Sequence, residues 1–405
     1  MKKVIIGKFS INYETNEDGT LVVRKFPSTL PDLDLVIPDE EDGMKVVAIK
    51  EGAFQGCNNL KSVTIGNNVK AIGDCAFKEC GKLKSITIPS GVATIGSSIV
   101  AWCWSLEEIK VSANNPHFTA INGNLYSKDG KTLIQYAVGK RDTVFSTPAG
   151  LKTIGTDAFW SACNLTQINL KNGVEEISYG AFDGCRGIME ITIPASVKAI
   201  GSYAFARCPN LKAINVDDKN PNYASENGNL YDKGKTTLIQ YTHNKTESRF
   251  VLPKSVTSVY YGAFMGMQNL AEIIVSPDNP YLKSIDGNLY TKDGKELVQY
   301  AVGKKATSFV IPSSVVKICD NAFYHSPYLT QVVIPEGVRT IGHNSFEFCR
   351  MGEVSIPSTV VEIGAFAFYG CDSIKKVTNR SELKIQKKGI SHGYLGYNAT
   401  EIINL

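Results

Sequence analysis

The chain has 405 residues, 43 Lys and Arg against 39 Asp and Glu for a formal net charge of +4, ten cysteines and 9% aromatic residues. A composition 43% hydrophobic and 20% charged supports a large core and excludes wholesale disorder, and so small a net charge excludes a non-specific nucleic-acid binder, which needs many Lys and Arg contacts to phosphate. No apolar run approaches the roughly 20 residues that cross a bilayer, so membrane insertion is not expected; length alone suggests two or three domains, a default that fails if the chain repeats.

In chain order, Met1-Lys2-Lys3 is basic like a signal peptide, but only Val4, Ile5 and Ile6 precede Gly7 and Lys8. That is short of an apolar stretch of about 7–15 residues, so no export signal is expected in this sequence. Residues 1–36 read as a β-hairpin cap, with Ile11-Asn12-Tyr13 and Leu21-Val22-Val23 flanking Asn16-Glu17-Asp18-Gly19. Over residues 37–378 one unit is rewritten about ten times, and its fullest form is Ile193-Pro194, Val197, Ile200-Gly201, Ala204-Phe205, Cys208, Leu211, Ile214 and Val216. A landmark Phe recurs at Phe54, Phe77, Phe159, Phe182, Phe205, Phe264, Phe323, Phe346 and Phe368, with Val100 in its place in the third copy. Most steps are 23 residues, as from Ile65 to Ile88 and from Ile193 to Val216, and the acidic loop from Pro38 to Gly43 lengthens the first copy. Three insertions of 36 residues run from Val111 to Thr147, Val216 to Leu252 and Val275 to Ile311. Each carries Asn-Pro, then Asn-Leu-Tyr, then Gln-Tyr, as in Pro116, Asn124-Leu125-Tyr126 and Gln135-Tyr136. Residues 379–405 leave the period and are expected to cap the last coil, because an open end would expose core and strand edge.

Within a repeat, the alternation of Leu211, Ile214 and Val216 predicts a half-buried strand. The Pro after most strands (Pro89, Pro194, Pro253, Pro312, Pro335, Pro357) lacks the N–H that would continue the ladder. Gly73, Gly96, Gly155, Gly201, Gly342 and Gly364, each after an inner Ile, suit a turn of positive φ. The run Ala-Phe-x-x-Cys-x-x-Leu then spaces its apolar residues at three and four, which predicts a single helical turn on the far side. One coil cannot bury both its faces, whereas stacked coils can, so the fold class is an α/β solenoid, rich in β, forming one elongated domain over 37–378.

The pattern Leu-x-x-Ile-x-Ile-Pro-x-x-Val-x-x-Ile-Gly-x-x-Ala-Phe-x-x-Cys resembles the BspA-type (Treponema pallidum class) leucine-rich repeat, and Asn122-Gly123-Asn124-Leu125-Tyr126 with Lys128-Asp129-Gly130-Lys131 is similar to segments of that family. The resemblance spans about residues 37–378. Met267 and Ser326 depart from it at the Cys position, as does Ala162 with Cys163 beside it. It implies a right-handed leucine-rich repeat superhelix and bacterial or protist surface proteins that bind host proteins or other cells, without a fixed ligand.

Candidate chemistry reduces to architecture. Cys57, Cys80, Cys103, Cys185, Cys208, Cys349 and Cys371 share one repeat position, with the repeat period for spacing rather than a zinc-ligand spacing, and read as buried packing thiols. Cys75, Cys163 and Cys319 lie off this ladder and are the candidates for a reactive thiol. Lys128-Asp129-Gly130-Lys131, between Leu125-Tyr126 and Leu133-Ile134, is better read as a hairpin turn than as part of a phosphate-binding loop. Each insertion is also expected to give one strand to the common sheet, as Phe309-Val310-Ile311 does in the third. His117, His243, His325, His343 and His392 form no metal or catalytic pattern, and no cofactor or metal is expected. A site assembled from Tyr126/Tyr136, Tyr231/Tyr241 and Tyr290/Tyr300 is the enzymatic alternative; threefold repetition points instead to structure, because a catalytic site needs unlike groups converging once.

The strand residue between the two inward positions faces solvent in every coil, and it is polar as far as Asn215. Val251, Ile274, Val310 and Val333 follow on what read as consecutive strands, a candidate partner-binding stripe, unless β-branched residues stand there for strand propensity alone. The chain therefore reads as a non-enzymatic recognition or adhesion protein with a protein or glycan partner. The resemblance puts it at a cell surface or secreted; a cytosolic scaffold is the alternative, favoured by the unpaired cysteines.

Overall fold

The computed structural model describes residues 3–6, 9–27, 32–242 and 247–405, in two compact units, residues 1–222 and 223–405. Met1, Lys2, Gly7, Lys8 and His243 lie outside the described residues.

Each coil begins with a strand whose alternate residues are buried, as in Glu190–Ile193, where Ile191 and Ile193 are inside and Glu190 and Thr192 outside. It pairs in parallel with the strand one repeat on: Ile191 faces Ile214 and Ile193 faces Val216. The following Pro ends the strand and accepts a turn hydrogen bond, Val197 N to Pro194 O at 3.2 Å. A strand of only two residues then joins a second parallel sheet, in the row Ile154, Ile177, Ile200.

The glycine after this short strand has another reason than the expected one. None of Gly73, Gly96, Gly155, Gly201, Gly342 and Gly364 lies in the left-handed region. Each instead lets adjacent coils touch: a Cβ on Gly201 would stand 2.5 Å from Tyr179 N, and on Gly342 2.6 Å from Asp320 N. Stacking at strand spacing, about 4.8 Å, leaves no room there for a side chain.

The far side is not a helical turn. It is a ladder of tight turns in which alternate N–H groups serve two purposes. Gly180, Phe182 and Gly184 donate to Ser202, Ala204 and Ala206 of the next coil, while Ala181, Asp183 and Cys185 close turns onto Ser178, Gly180 and Phe182. This alternation needs a left-handed residue two before and two after every landmark: Gly180 and Gly184 around Phe182, Tyr203 and Arg207 around Phe205, Asn344 and Phe348 around Phe346, Phe366 and Gly370 around Phe368. Helical spacing could not reveal it, because the apolar residues fall at the same intervals in both conformations. Among the described residues the one helical segment is a 3-10 turn, His392–Tyr394.

Inside the ladder the landmark rings stack, Phe182 on Phe205 at 5.5 Å and Phe323 on Phe346 at 4.7 Å. The thiol ladder lies beside them as expected: Cys208 and Cys349 are buried, and each donates to the carbonyl of a landmark Phe in the coil before, both at 3.1 Å. The thiol thus takes the second lone pair of a carbonyl that already closes a turn, Phe182 O with Cys185 N and Phe323 O with Ser326 N.

The insertions extend the same scheme. Tyr136 stands 23 positions before Phe159 and stacks on it at 5.1 Å, and Tyr300 stacks on Phe323 at 5.0 Å. Each 36-residue insertion is therefore a coil of ordinary period enlarged by a hairpin. Phe118–Ile121 and Asn124–Ser127 pair antiparallel around Asn122-Gly123, both left-handed, and Asn124–Ser127 turns through Asp129-Gly130 into Thr132–Gln135. Thr132–Gln135 joins the second sheet beside Thr153–Ile154, and Val144–Ser146 joins the first beside Gln167–Asn169, the strand contribution expected of each insertion. Buried amides fix the hairpin. Asn115 donates to Pro89 O and Val92 O and accepts from His117 N and Phe118 N, all within 2.9 Å, and Asn279 repeats the pattern with Val256 O, Tyr281 N and Leu282 N.

At the start, Phe9–Thr15 and Leu21–Val23 form the expected hairpin, and Leu21–Val23 pairs in parallel with Met44–Ile49. At the end, Glu401–Asn404 pairs with Lys376–Asn379, and Ile385, Leu395 and Ala399 join the core around Phe368.

Candidate interaction surfaces

The strand-face stripe is exposed but not continuous. Val251 and Val310 are each 65% exposed and Val333 44%, while Ile274 is half-buried. Val251 pairs with Ile274 and Val310 with Val333, but the two pairs belong to separate two-stranded sheets. The third insertion interrupts them: Ile273 N donates to Gly287 O at 2.8 Å, and Val275 N to Ser284 Oγ at 2.7 Å, so the hairpin takes the place beside Glu272–Ile274. Counting strands along the sequence missed this. Val36 and Val144, in the first unit, are about half exposed as well, so an outward valine is a common feature of these strands.

The turn faces carry a stronger signal, which the search for periodic residues passed over. In the first unit Trp102, 6.5 Å from Trp104 and 5.6 Å from Trp160, is engaged by the chain itself. Lys78 Nζ lies 4.9 Å from the Trp102 ring and 4.3 Å from Trp160, and Arg207 stacks on Trp160 while making a bidentate pair with Asp183. Ser98 Oγ donates to Asp157 at 2.5 Å across the insertion, whose own coil is short on this side. Burial raises the Asp157 carboxyl above its ordinary value, with the Ser98 hydrogen bond opposing.

In the second unit the corresponding face is a ridge of outward aromatic rings. Phe348 contacts Tyr369 at 5.9 Å, Tyr369 contacts Phe366 at 5.7 Å and Tyr394 at 5.2 Å, and Tyr394 contacts Tyr397 at 5.7 Å. Phe348, Phe366, Tyr369 and Tyr397 are all exposed. Among the described residues no Lys or Arg covers Phe348 or Phe366, and both have left-handed backbones, φ 58° and 57°. At the same two positions other coils use Gly180 and Gly184, Gly262 and Gly266, Asn321 and His325, or Tyr203 and Arg207. A bulky residue there costs about 1–2 kcal/mol relative to its ordinary conformation.

The other candidates are structural. Tyr126, Tyr136, Tyr231, Tyr241, Tyr290 and Tyr300 are at most 3% exposed and line the core, not a pocket; burial pushes Tyr126 and Tyr300 up to about 12. Cys319 is buried against Glu296 at 3.4 Å, and burial pushes its thiol up to about 12, which removes it from the reactive candidates. Cys75 and Cys163 are half-buried, and burial raises Cys75. Among the described residues no group of His, Cys, Asp or Glu could hold a metal ion.

Residues 37–136, 141–230, 236–293 and 299–392 match the profile described as the BspA type leucine rich repeat region. A search of curated proteins gave no match. Among solved structures, the chain is similar to a leucine-rich repeat protein of Bacteroides ovatus (24% identity, 98% of each chain covered, TM-score 0.40) and to a leucine-rich cell surface protein of Faecalibacterium prausnitzii (22% identity, 100% of this chain and 95% of that one, TM-score 0.39). It is also similar to the leucine-rich repeat protein of T. pallidum, with 26% identity over 52% of this chain and 91% of that one and a TM-score of 0.35. No helix of the described residues is long and apolar enough to cross a membrane.

Proposed function

Since this chain belongs to the BspA-type leucine-rich repeat family, one suited to protein interaction and typically surface-associated, we propose that it is a non-enzymatic recognition protein that binds a protein partner on a cell surface or in matrix through the aromatic ridge of its second unit. The observation that carries this reading is Phe348 and Phe366: large apolar side chains held outward at turn positions where other coils place Gly184, Arg207 or Asn321. Clustered aromatic side chains supply most of the binding energy in many protein interfaces. Val251/Ile274 and Val310/Val333 form lesser apolar patches.

The test is a pair of variants compared against singly arrayed, purified cell-surface and matrix proteins. Asn already occupies a left-handed position at Asn321 and Asn344, so Phe348→Asn with Phe366→Asn should keep thermal stability within about 1 kcal/mol. It should weaken any binding shown by the natural chain at least tenfold. Ile274→Lys with Val333→Lys should leave it within threefold. Undiminished binding by the Asn pair would remove the ridge as the site.

A further inference from the structure

The third insertion builds a second kind of surface, which goes beyond the protein-binding ridge. An open cavity of about 580 Å³ lies between the hairpin and the short strands of the second sheet. Along one side the parallel register sets a row of residues one coil apart, Lys295, Val316, Arg339 and Val361, tied by backbone bonds from Val316 N to Lys295 O, Arg339 N to Val316 O and Val361 N to Arg339 O at 2.7–2.9 Å. Tyr281, 60% exposed, stands at the hairpin edge, and Lys292, Lys317, Thr291 and Thr340 complete the lining.

The same row exists at the first insertion, where it reads Lys131, Lys152, Glu175, Lys198. There Glu175 takes Lys152 at 2.7 Å and Lys198 at 2.6 Å, so two of that row's three lysines are held by a carboxylate. At the third insertion arginine replaces the glutamate, and both its neighbours are valines. The two carboxylates of the cavity are already engaged: Asp293 accepts from Thr291 Oγ1 and Lys295 N, and Glu296 accepts from Cys319 Sγ and lies 3.8 Å from Lys317. Among the described residues no carboxylate pairs with Arg339, while the Lys295 N–H, the Thr291 hydroxyl and the charges of Lys295 and Lys283 hold Asp293 below its ordinary value.

We propose that this cavity binds an anionic saccharide. Arg339 and Lys295 hold the carboxylate or sulfate, and the Tyr281 face packs on the sugar ring. A walled, positively charged concavity concentrates anions, and a guanidinium grips a planar or tetrahedral oxyanion through two N–H groups. An inorganic anion would have no use for an exposed aromatic at the rim. A sugar presents both an apolar ring face and hydroxyls, which match Tyr281, Thr291 and Thr340.

The full chain is titrated calorimetrically at 150 mM salt with five probes: trigalacturonic acid for the carboxylate source, a sulfated heparin-derived tetrasaccharide for the sulfate source, inorganic sulfate, neutral cellotriose, and a short single-stranded DNA. Saturable binding of one anionic saccharide and none of cellotriose is expected. Arg339→Ala should weaken it at least tenfold. Val316→Glu, which places a carboxylate one coil from Arg339, should do the same while the thermal midpoint stays unchanged. Tyr281→Ala should weaken the saccharide at least threefold and leave inorganic sulfate unaffected. The proposal is overturned if neither anionic saccharide saturates, if Arg339→Ala and Val316→Glu leave binding intact, or if DNA binds as tightly and ignores Tyr281→Ala.

Discussion

The two units are written in one repeat yet treat their surface groups differently. In the first, Lys78 and Arg207 cover Trp102 and Trp160, and Glu175 pairs Lys152 and Lys198 in the row beside the first insertion. In the second, among the described residues, no cation covers the outward rings of Phe348 and Phe366 and no carboxylate pairs with Arg339 in the cavity. The buried parts do not share this difference. Asn115 and Asn279 hold the same hairpin, and Tyr136 and Tyr300 begin the same ring stack. A stacked coil constrains what lies between neighbours and leaves the outward atoms free, so one scaffold can carry a self-satisfied face and an open one.

If the scaffold is common, Phe182→Ala and Phe346→Ala should destabilise their units equally, each by about 3–5 kcal/mol, because each removes a fully buried ring from a stack. Unequal denaturant midpoints for the two would break the comparison at its base. Gly201→Ala and Gly342→Ala should come next, at about 1–3 kcal/mol, since the added methyl meets backbone of the adjacent coil and the whole coil must shift.

The smallest effect sharpens the contrast in surface charge. The hydrogen bond from Lys152, together with that from Lys198, holds Glu175 down to about 2 from its ordinary 4.5. A carboxylate depressed on folding adds stability above the unfolded value, and this is lost as pH falls toward the folded one. Thermal midpoints of the natural chain and Glu175→Gln should therefore differ at pH 6 and converge near pH 2. A constant difference across that range would show that the row beside the first insertion is not held by charge.

Much of this was legible in the sequence. The period, the inward residues, the proline stops and the cysteine ladder follow from one requirement: every coil must present the same buried surface to the next. The left-handed pairs were not legible, because at Cys75, Glu79, Tyr203 and Arg207 the residue type carries no turn signal. The ridge was hidden because Tyr394 and Tyr397 lie outside the period.

The sequence by itself determined a stacked-coil protein with insertions of constant length, since burial repeated every 23 residues admits no other packing of the Phe, Ile and Cys columns. Only the tertiary structure decided that the glycines are there for contact between coils, that a hairpin divides the valine stripe, and that Arg339 stands between valines while Glu175 stands between lysines. Those facts depend on which residues become neighbours when coils stack around an insertion, and through-space adjacency is set by register and not by order along the chain.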